Sequence, residues 1–291
     1  MPALHESKLA RNEFEAAAQR YYDTKCNDEL NLGLGHMDGF YHHHFAVGDF
    51  ERAVLNLSGA ERQMAIKREI HRLETSQVDT LIEALTLASP PQRILDAGSG
   101  RGGTAFLLHQ AFDCPIDGVN FSRYQNRFAR EQAVNRGMED VVRFHDRNMI
   151  ATGFPDETFD FVITNETTMY VDLKEAFSEF ARLLRPGGRY VLLTWCINNA
   201  VVAAPAEAAL IDEHYHCHTH TRSAYLAALL GTGLTPYLVD DFTASATPYW
   251  ELRAQSHLAT GVERAYLEGY RSDHVNYIRI AARKAGPERS R

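Results

Sequence analysis

Between residues 90 and 195, short apolar runs alternate with longer segments whose apolar positions recur every three or four residues. The short runs predict strands and the longer segments predict helices, including one over 173–184. This alternation favours an α/β fold, in which a mostly parallel sheet carries helices on both faces. The predicted strands are Arg93–Ala97, Pro115–Asn120, Val141–His145, Phe159–Thr164 and Arg189–Trp195, followed after an interruption by a strand near 236–243, a helix over 249–270 and a seventh strand over Val275–Ala281.

Two regions do not follow the alternation. Helical patterns over 6–22 and 60–87 flank residues 30–50, where four glycines and an aromatic and histidine cluster predict an irregular lid. After the fifth strand, the alanine-rich residues predict a helical cap inserted over the sheet edge. The predicted organisation is an N-terminal helical and lid segment (1–88), a core (89–197), a cap insertion (198–235), the C-terminal part of the core sheet (236–283) and a tail (284–291).

Composition narrows the classes of function. The 291 residues carry a net charge of −8, which argues against nucleic-acid binding, because such proteins neutralise phosphates with lysine and arginine. No apolar run approaches the roughly 20 residues that a membrane-spanning helix needs, and the first 20 residues contain no apolar signal segment. The four cysteines include no CxxC pair, which predicts neither a disulfide framework nor a zinc ribbon. We therefore expect a cytoplasmic protein that acts on a small molecule.

A glycine-rich loop follows the first predicted strand, in the run Asp96-Ala97-Gly98-Ser99-Gly100-Arg101-Gly102. Glycines let backbone amides approach a ligand, and the helix that begins near Thr104 favours negative charge at its N-terminus. NAD enzymes also use such loops, but the second strand here ends in Asn120-Phe121-Ser122, without the acid that binds an NAD ribose. Together with Asp96 at the strand end, this favours S-adenosylmethionine (SAM); a purely structural glycine turn is the alternative.

Four runs in order resemble the class I SAM-dependent methyltransferases: LDAGSGRGG, GVNFS, FDFVITNET and LLRPGGRYVL, within about residues 90–195. The resemblance implies a Rossmann-like class I methyltransferase fold with SAM as the cofactor. It also implies cofactor contacts, although each non-glycine position could instead be ordinary packing or surface. The implied cofactor-binding residues are Asp96, Gly98, Gly100, Asn120, Phe121, Asn148 and Met149, with Gln77, Gln125 and Asn165 as further candidates.

Glu166 follows the fourth predicted strand, at the sheet edge where ligands of such folds bind. Methylation of an alkene carbon leaves a cation, and a base must then remove a proton. A buried carboxylate at this position suits that role; a polar cap on the next helix is the alternative. A cation also needs aromatic faces around it and no water. Such faces are available at Tyr41 and Phe45 in the lid, at Tyr215 and Tyr225 in the cap, and later in the chain at Tyr249 and Trp250. Each of these residues taken singly could instead belong to the hydrophobic core, and their concentration in the lid and the cap favours the functional interpretation.

A closer resemblance covers about residues 30–283. The runs DGFYHHH (38–44), HRLETSQ (71–77), NExxMYVD (165–172) and PYWELR (248–253) resemble the prenyl-diphosphate C-methyltransferases. The resemblance implies that an alkene attacks the methyl group of SAM, that Glu166 removes the proton, that Tyr41 lies near the cation, and that Mg²⁺ accompanies the diphosphate. We expect substrate contacts at His42, Tyr170, Tyr215, Arg147, Arg222 and Trp250.

The size of the substrate pocket is a separate prediction. Residues 198–206 are mostly small, and on the inner face of a lid they would leave room for a longer chain. This makes methylation of farnesyl diphosphate at C6 at least as expected as methylation of geranyl diphosphate at C2. The alternatives are a methyltransferase of the sterol, tocopherol or cyclopropane-synthase kind, or a SAM-binding protein without catalysis.

Histidines are concentrated at 42–44 and at alternate positions from 214 to 220. Their spacing matches no transition-metal site, so we predict no metal ligands from the protein and expect magnesium to reach the diphosphate through water. Hydrogen bonding to a diphosphate is the favoured role for some of them. We expect the protein to form a homo-oligomer.

Overall fold

The computed structural model describes residues 9–25, 29–86, 90–201 and 203–286. Its centre is a seven-stranded sheet in the order β3-β2-β1-β4-β5-β7-β6. β7 runs antiparallel to both of its neighbours, and the other pairs are parallel. The strands are β1 (Ile94–Ala97), β2 (Ile116–Asn120), β3 (Val142–Asp146), β4 (Phe159–Asn165), β5 (Leu184–Ile197), β6 (Leu234–Asp241) and β7 (Val275–Lys284). The predicted seven-stranded, mostly parallel sheet is confirmed.

Helices cover both faces of the sheet and bury two hydrophobic clusters. The strands alternate between them: Phe161 and Ile163 belong to one cluster, and Val162 belongs to the other. Burial on both faces explains why the central strands are almost continuously apolar. The helices are α1 (Glu13–Thr24), α2 (Glu29–Gly35), α3 (Gly59–Thr86), α4 (Gly103–Phe112), α5 (Arg123–Asn135), α6 (Leu173–Leu183), α7 (Ala206–Tyr215), α8 (Arg222–Gly231), α9 (Thr243–Arg253) and α10 (Glu263–Arg271).

The structure corrects three predicted elements. The helix over 249–270 is two helices, α9 and α10, because residues 254–262 form a loop in which Gly261 has a positive φ of 95°. The cap is also two helices, α7 and α8. α7 ends at Tyr215, and its C-cap His216 has a φ of 52°, so His216 to His220 lie in a loop instead of on a helix. The lid over 30–50 begins with α2 and is irregular only from residue 36 onwards.

The N-terminal segment lies over the carboxyl ends of β2 and β4. Gln19 on α1 donates a hydrogen bond to the carbonyl of Phe121 at 2.9 Å, and Ser122 Oγ donates to Asp23 at 2.5 Å. Tyr22 reaches the hydroxyl of Tyr170 at 2.6 Å. These contacts seat the segment on the sheet edge where the glycine loop lies. Among the described residues, no helix is both long and apolar enough to span a membrane.

Candidate active site

The glycine loop turns sharply between β1 and α4. Gly98 has a φ of 94° and Gly102 a φ of 90°, in the left-handed region that favours glycine. A Cβ at Gly98 would collide with the side chain of Thr167, and one at Gly103 would lie 2.8 Å from the carbonyl oxygen of Tyr41. The glycines therefore let β1, β4 and the lid approach one another around a cavity.

This glycine-loop cavity encloses about 700 Å³, including space open to solvent. Eight of the ten predicted cofactor-binding residues line it: Asp96, Gly98, Gly100, Asn120, Phe121, Gln125, Met149 and Asn165. Further lining residues come from the lid and from β4, among them Tyr22, Tyr41, His42, Glu166 and Tyr170. Their roles toward a cofactor stay predictions, but their placement in one cavity is as expected.

Buried polar atoms of this cavity fit a cofactor with several hydrogen-bonding groups. Asp96 Oδ2, Ser99 Oγ and Gln125 Nε2 are buried and have no hydrogen-bond partner among the described residues. Buried polar atoms are normally satisfied, so such a set marks a place for a polar ligand. Burial also raises the pKa of Asp96 to about 7. The amino-acid, ribose and adenine groups of SAM could satisfy these atoms.

Two predicted cofactor-binding residues, Gln77 and Asn148, do not line the cavity. Gln77 is fully buried on α3 and pairs with Asn165, with Gln77 Nε2 at 2.7 Å from Asn165 Oδ1. Asn148 donates to the carboxylate of Glu15 at 2.8 Å and to the carbonyl of Leu9 at 3.1 Å. Neither side chain lines the cavity, because each is used to hold another element in place.

A second cavity, the aromatic cavity, encloses about 610 Å³ beside the first. Its walls come from widely separated parts of the chain: Tyr22, Lys25, Leu30, Asn31, His43, His44, Phe45, Glu166, Tyr170, Trp195, His214, Tyr215, Tyr249, Arg253 and Thr260. Five residues line both cavities, namely Tyr22, His43, His44, Glu166 and Tyr170. The two cavities are therefore adjacent, and the carboxyl group of Glu166 lies at their junction.

Glu166 is held rigidly at this junction. Its φ of 55° turns the chain sharply at the end of β4. Oε1 accepts a hydrogen bond from the Tyr277 hydroxyl at 2.5 Å, and Oε2 accepts one from the backbone N–H of Phe45 at 2.9 Å. Burial raises the pKa of Glu166 to about 8, against the lowering effect of these two donors and with a further rise from the nearby Glu74 carboxylate. The predicted alternative, a helix cap, is wrong, since Asp172 caps α6.

The aromatic cavity has cationic groups in its wall. The buried Arg253 donates to the Tyr249 hydroxyl at 3.1 Å and forms an ion pair with Glu263 at 3.0 Å. The ammonium of Lys25 lies 4.3 Å from the ring centre of Tyr21. An anionic group would be favoured near these cations.

The two arginines predicted to bind substrate lie elsewhere. Arg147 donates to the carbonyl of Thr152 at 2.8 Å and stacks on the Phe154 ring. Arg222 forms an ion pair with Asp241 at the edge of the sheet, with a distance of 2.5 Å. Neither lines the two cavities, so the structure does not bring these two arginines to the candidate site. Sequence alone could not rank the arginines, because which of them lines a cavity depends on how whole elements pack together.

Of the predicted aromatic and histidine site residues, some line a cavity and one does not. Tyr41 and His42 line the glycine-loop cavity, Tyr215 lines the aromatic cavity, and Tyr170 lines both. Trp250 does not; it stacks on Tyr266 with ring centres 3.9 Å apart, in the layer behind Phe45. Tyr22 and Trp195 also line these cavities but were not predicted from the sequence. Trp195 lies near the carboxyl end of β5, where ligands of parallel sheets bind, so its position carried a usable signal.

Burial favours the neutral form of three histidines of the lid, His42, His43 and His44. Burial is the main cause that lowers the pKa of His44 to about 4 and holds the pKa values of His42 and His43 well below their usual range. In the described part of the chain, no group of three or more His, Cys, Asp or Glu side chains is arranged to hold a metal ion. These residues therefore contribute uncharged polar walls.

The small residues over 198–206 do not enlarge either cavity. The described ones are half-buried or exposed, apart from the buried Pro205, and lie in the loop leading to α7 and at its first residue; none lines either cavity. The prediction of extra substrate room from this stretch is wrong, because it lies outside the cavities.

Comparison with known proteins agrees with this geometry. A model of a methyltransferase domain matches residues 95–192. The geranyl diphosphate 2-C-methyltransferase of Saccharopolyspora erythraea is 41% identical over 280 residues, covering 96% of this chain and 98% of that protein. The enzyme of the same name from Streptomyces lasalocidi is 39% identical and covers 90% and 88%.

Solved structures give the same result. A geranyl diphosphate methyltransferase in complex with geranyl diphosphate and sinefungin superposes with a TM-score of 0.90, at 38% identity over 94% of this chain and 99% of that chain. The Streptomyces coelicolor enzyme, in complex with Mg²⁺, geranyl-S-thiolodiphosphate and S-adenosylhomocysteine, also gives 0.90, at 37% identity over 95% and 99%. The chain is therefore a SAM-dependent methyltransferase that belongs to the family of the geranyl diphosphate C-methyltransferases.

Proposed function

We propose that this enzyme methylates an alkene carbon of a prenyl diphosphate and that Glu166 removes the proton that restores the double bond. The observation that carries the proposal is the junction of the two cavities at Glu166. A cofactor in the glycine-loop cavity and an acceptor in the aromatic cavity would both lie against this carboxylate. Two adjoining cavities that share a buried base suit a transfer followed by proton removal.

Different residues would bind the cofactor and remove the proton. Asp96, Asn120 and Gln125 offer polar groups that would hold SAM. SAM supplies an electrophilic methyl group; the alkene electron pair forms the new C–C bond as the S–CH₃ bond breaks. Glu166 then accepts a proton from a carbon next to the cation, and the electrons of that C–H bond form the product alkene.

The walls of the aromatic cavity suit a cation. Phe45, Trp195, Tyr215 and Tyr249 surround it with aromatic rings, whose faces attract positive charge. Burial holds the pKa values of Tyr215 and Tyr249 well above their usual range, so the hydroxyls stay protonated. A neutral aromatic wall stabilises a cation and keeps water from it.

Arg253 and Lys25 make the cationic part of the same cavity, and we assign the diphosphate to it. An arginine fork can bind two phosphate oxygens at once. Mg²⁺ would be held mainly by diphosphate oxygens and water, since the described residues offer no cage for it. A relative solved in complex with Mg²⁺ and a geranyl diphosphate analogue supports the presence of Mg²⁺ with the substrate.

For chain length and position, we propose geranyl diphosphate and C2. The residue argument for farnesyl diphosphate failed, and the full-length relatives are named geranyl diphosphate 2-C-methyltransferases. A homo-oligomer and a cytoplasmic location also stay proposals. The exposed Tyr237 and Val239 on the edge strand β6 are compatible with an interface between copies.

The test is incubation of the purified chain with SAM, Mg²⁺ and prenyl diphosphates from C5 to C20. We expect mass spectrometry to show one added methyl group on the C10 substrate, and NMR to place it on C2. If product forms only from farnesyl diphosphate, the proposed C10 chain length of the substrate is wrong. No product from any prenyl diphosphate, or product formed equally well from acceptors without a diphosphate, would overturn the proposed function.

A further inference from the structure

We propose that Tyr277 and Gln77 are positioning residues that favour the ionised form of Glu166 and link it to the wall of the glycine-loop cavity. The inference rests on the proposed role of Glu166 as the base. Tyr277 lies on β7 and Gln77 on α3, and both are fully buried outside the two cavities. They act through Glu166 and Asn165 instead of contacting the reacting atoms.

A continuous chain of hydrogen bonds joins these side chains. The Tyr277 hydroxyl donates to Glu166 Oε1 at 2.5 Å. Gln77 Nε2 donates to the same hydroxyl at 2.9 Å and to Asn165 Oδ1 at 2.7 Å. Asn165 Nδ2 returns a hydrogen bond to Gln77 Oε1 at 3.0 Å. One glutamine therefore fixes two consecutive residues at the end of β4.

The direction of this chain determines which form of Glu166 is favoured. An amide nitrogen only donates, whereas a tyrosine hydroxyl donates one proton and can also accept. Because the Tyr277 oxygen accepts from Gln77, its own proton is directed to Glu166. A donor aimed at a carboxylate favours the ionised form. Burial opposes ionisation, so the pair offsets part of that cost.

The carboxylate remains able to accept a substrate proton. Each carboxylate oxygen has two lone pairs. Tyr277 uses one on Oε1 and the Phe45 N–H uses one on Oε2, which leaves one lone pair on each oxygen. One donor lies on β7 and the other lies in the lid, and together they fix the plane of the carboxylate. Orientation of a base in this way is what proton abstraction requires.

Gln77 has a second consequence that Tyr277 lacks. Asn165 lines the glycine-loop cavity and lies 3.4 Å from Thr104 Oγ1 at the start of α4. Removing the Gln77 amide would release both Asn165 and the Tyr277 hydroxyl. Removing the Tyr277 hydroxyl would leave the pairing of Gln77 and Asn165 intact. The two substitutions should therefore differ in their effect on cofactor binding.

The experiment compares Tyr277→Phe, Gln77→Met and the control Tyr266→Phe. Tyr266 is also fully buried, stacked on Trp250, but its hydroxyl has no hydrogen-bond partner among the described residues. Titration of Glu166 is followed by NMR on protein labelled with ¹³C in the glutamate carboxyl groups, and Glu166→Gln assigns the signal. SAM affinity is measured by calorimetry, and methyl transfer to geranyl diphosphate by single-turnover kinetics from pH 6 to 9.5.

For Tyr277→Phe, we expect the NMR-detected pKa of Glu166 to rise by about one unit, a tenfold loss of ionised base at a given pH. The single-turnover rate should fall about tenfold at neutral pH and recover at high pH. The affinity for SAM should stay unchanged. Gln77→Met should raise the same pKa and also weaken SAM binding. The control Tyr266→Phe should change neither the pKa of Glu166 nor the affinity for SAM.

An unchanged Glu166 pKa in Tyr277→Phe, or a rate loss that is equal at every pH, would overturn the inference. The NMR titration and the SAM affinity need no acceptor, so they test it even if the wild-type enzyme methylates no prenyl diphosphate; that result would refute the proposed function alone. If Tyr277→Phe is unfolded by circular dichroism, Gln77→Met tests the same donor chain without altering Tyr277.

Discussion

The two cavities are built in different ways. The glycine-loop cavity takes most of its wall from turns at the carboxyl ends of β1, β2 and β4. The aromatic cavity takes its wall from positions between Tyr22 and Thr260, on helices, loops and strands that meet only through packing. The first is a product of local chain direction in a parallel sheet. The second depends on how the lid and the cap close over that sheet.

Two buried carboxyl groups sharpen the contrast. Asp96 and Glu166 lie at the ends of the adjacent strands β1 and β4, and burial raises both pKa values. Asp96 has an oxygen without a partner among the described residues, whereas Glu166 has a donor on each oxygen. The same location thus yields a carboxyl group open to a ligand in one case and a carboxyl group oriented by two donors in the other.

The largest expected effect comes from Glu166→Gln. Loss of the base should reduce turnover by roughly 10²–10⁴-fold, because an amide cannot accept the proton. SAM affinity should stay within a factor of about three, since the polar groups of the glycine-loop cavity remain. Turnover is measured by product mass spectrometry and affinity by calorimetry. Near-normal turnover would remove Glu166 from the mechanism; Glu13→Gln, at an exposed ion pair, is the control.

The same substitution should stabilise the enzyme at high pH. The folded pKa of Glu166 is about 8 and its ordinary value is 4.5, so the folded state binds more protons between these values. Stability from this group is therefore present below pH 4.5 and is lost as pH rises through 8. Gln carries no such dependence, and the gain at pH 8.5 should be on the order of 3 kcal/mol relative to pH 5.

Thermal melts without cofactor at several pH values check this prediction. The melting temperature of Glu166→Gln minus that of the wild type should increase from pH 5 to pH 8.5. A constant offset of about 1 kcal/mol from the lost acceptor would not change with pH. A difference that stays flat or falls with rising pH would contradict the raised pKa.

Arg253→Lys should act on the aromatic cavity alone. Lysine keeps the charge but loses the fork, so we expect KM for the prenyl diphosphate to rise roughly 10–100-fold, with SAM affinity unchanged. Arg222→Lys is the matched control, because Arg222 lies outside both cavities. Equal effects of the two substitutions in steady-state kinetics would place the diphosphate elsewhere.

The smallest expected effect concerns Asp96 and the glycine-loop cavity. SAM has a net positive charge, so bound SAM favours the ionised carboxylate, and its affinity should rise with pH up to about 7 and then level off. Asp96→Asn should abolish this dependence and weaken SAM binding about tenfold at pH 8. Calorimetry from pH 5.5 to 8.5 measures both. A pH-independent wild-type affinity would show that Asp96 does not sense the cofactor.

Prediction from sequence succeeded where local spacing carries the information. The strand and glycine pattern located the fold and eight of the ten cofactor candidates, because residues at the ends of parallel strands converge whatever the rest of the chain does. Gln77 and Asn148 lie outside this cavity because they pair with Asn165 and Glu15, which are far away in sequence. Trp250 lies outside both cavities, and aromatic character alone does not distinguish a cavity wall from the layer behind it.

By itself, the sequence determined the parallel sheet, the glycine loop and the position of Glu166 at a strand end, since each follows from short-range periodicity and chain direction. Tertiary structure alone decided which cations line the aromatic cavity, and it joined Tyr277, Gln77 and the lid to Glu166. These contacts connect residues that are more than 80 positions apart along the chain. Their geometry depends on packing between whole elements, which no local pattern encodes.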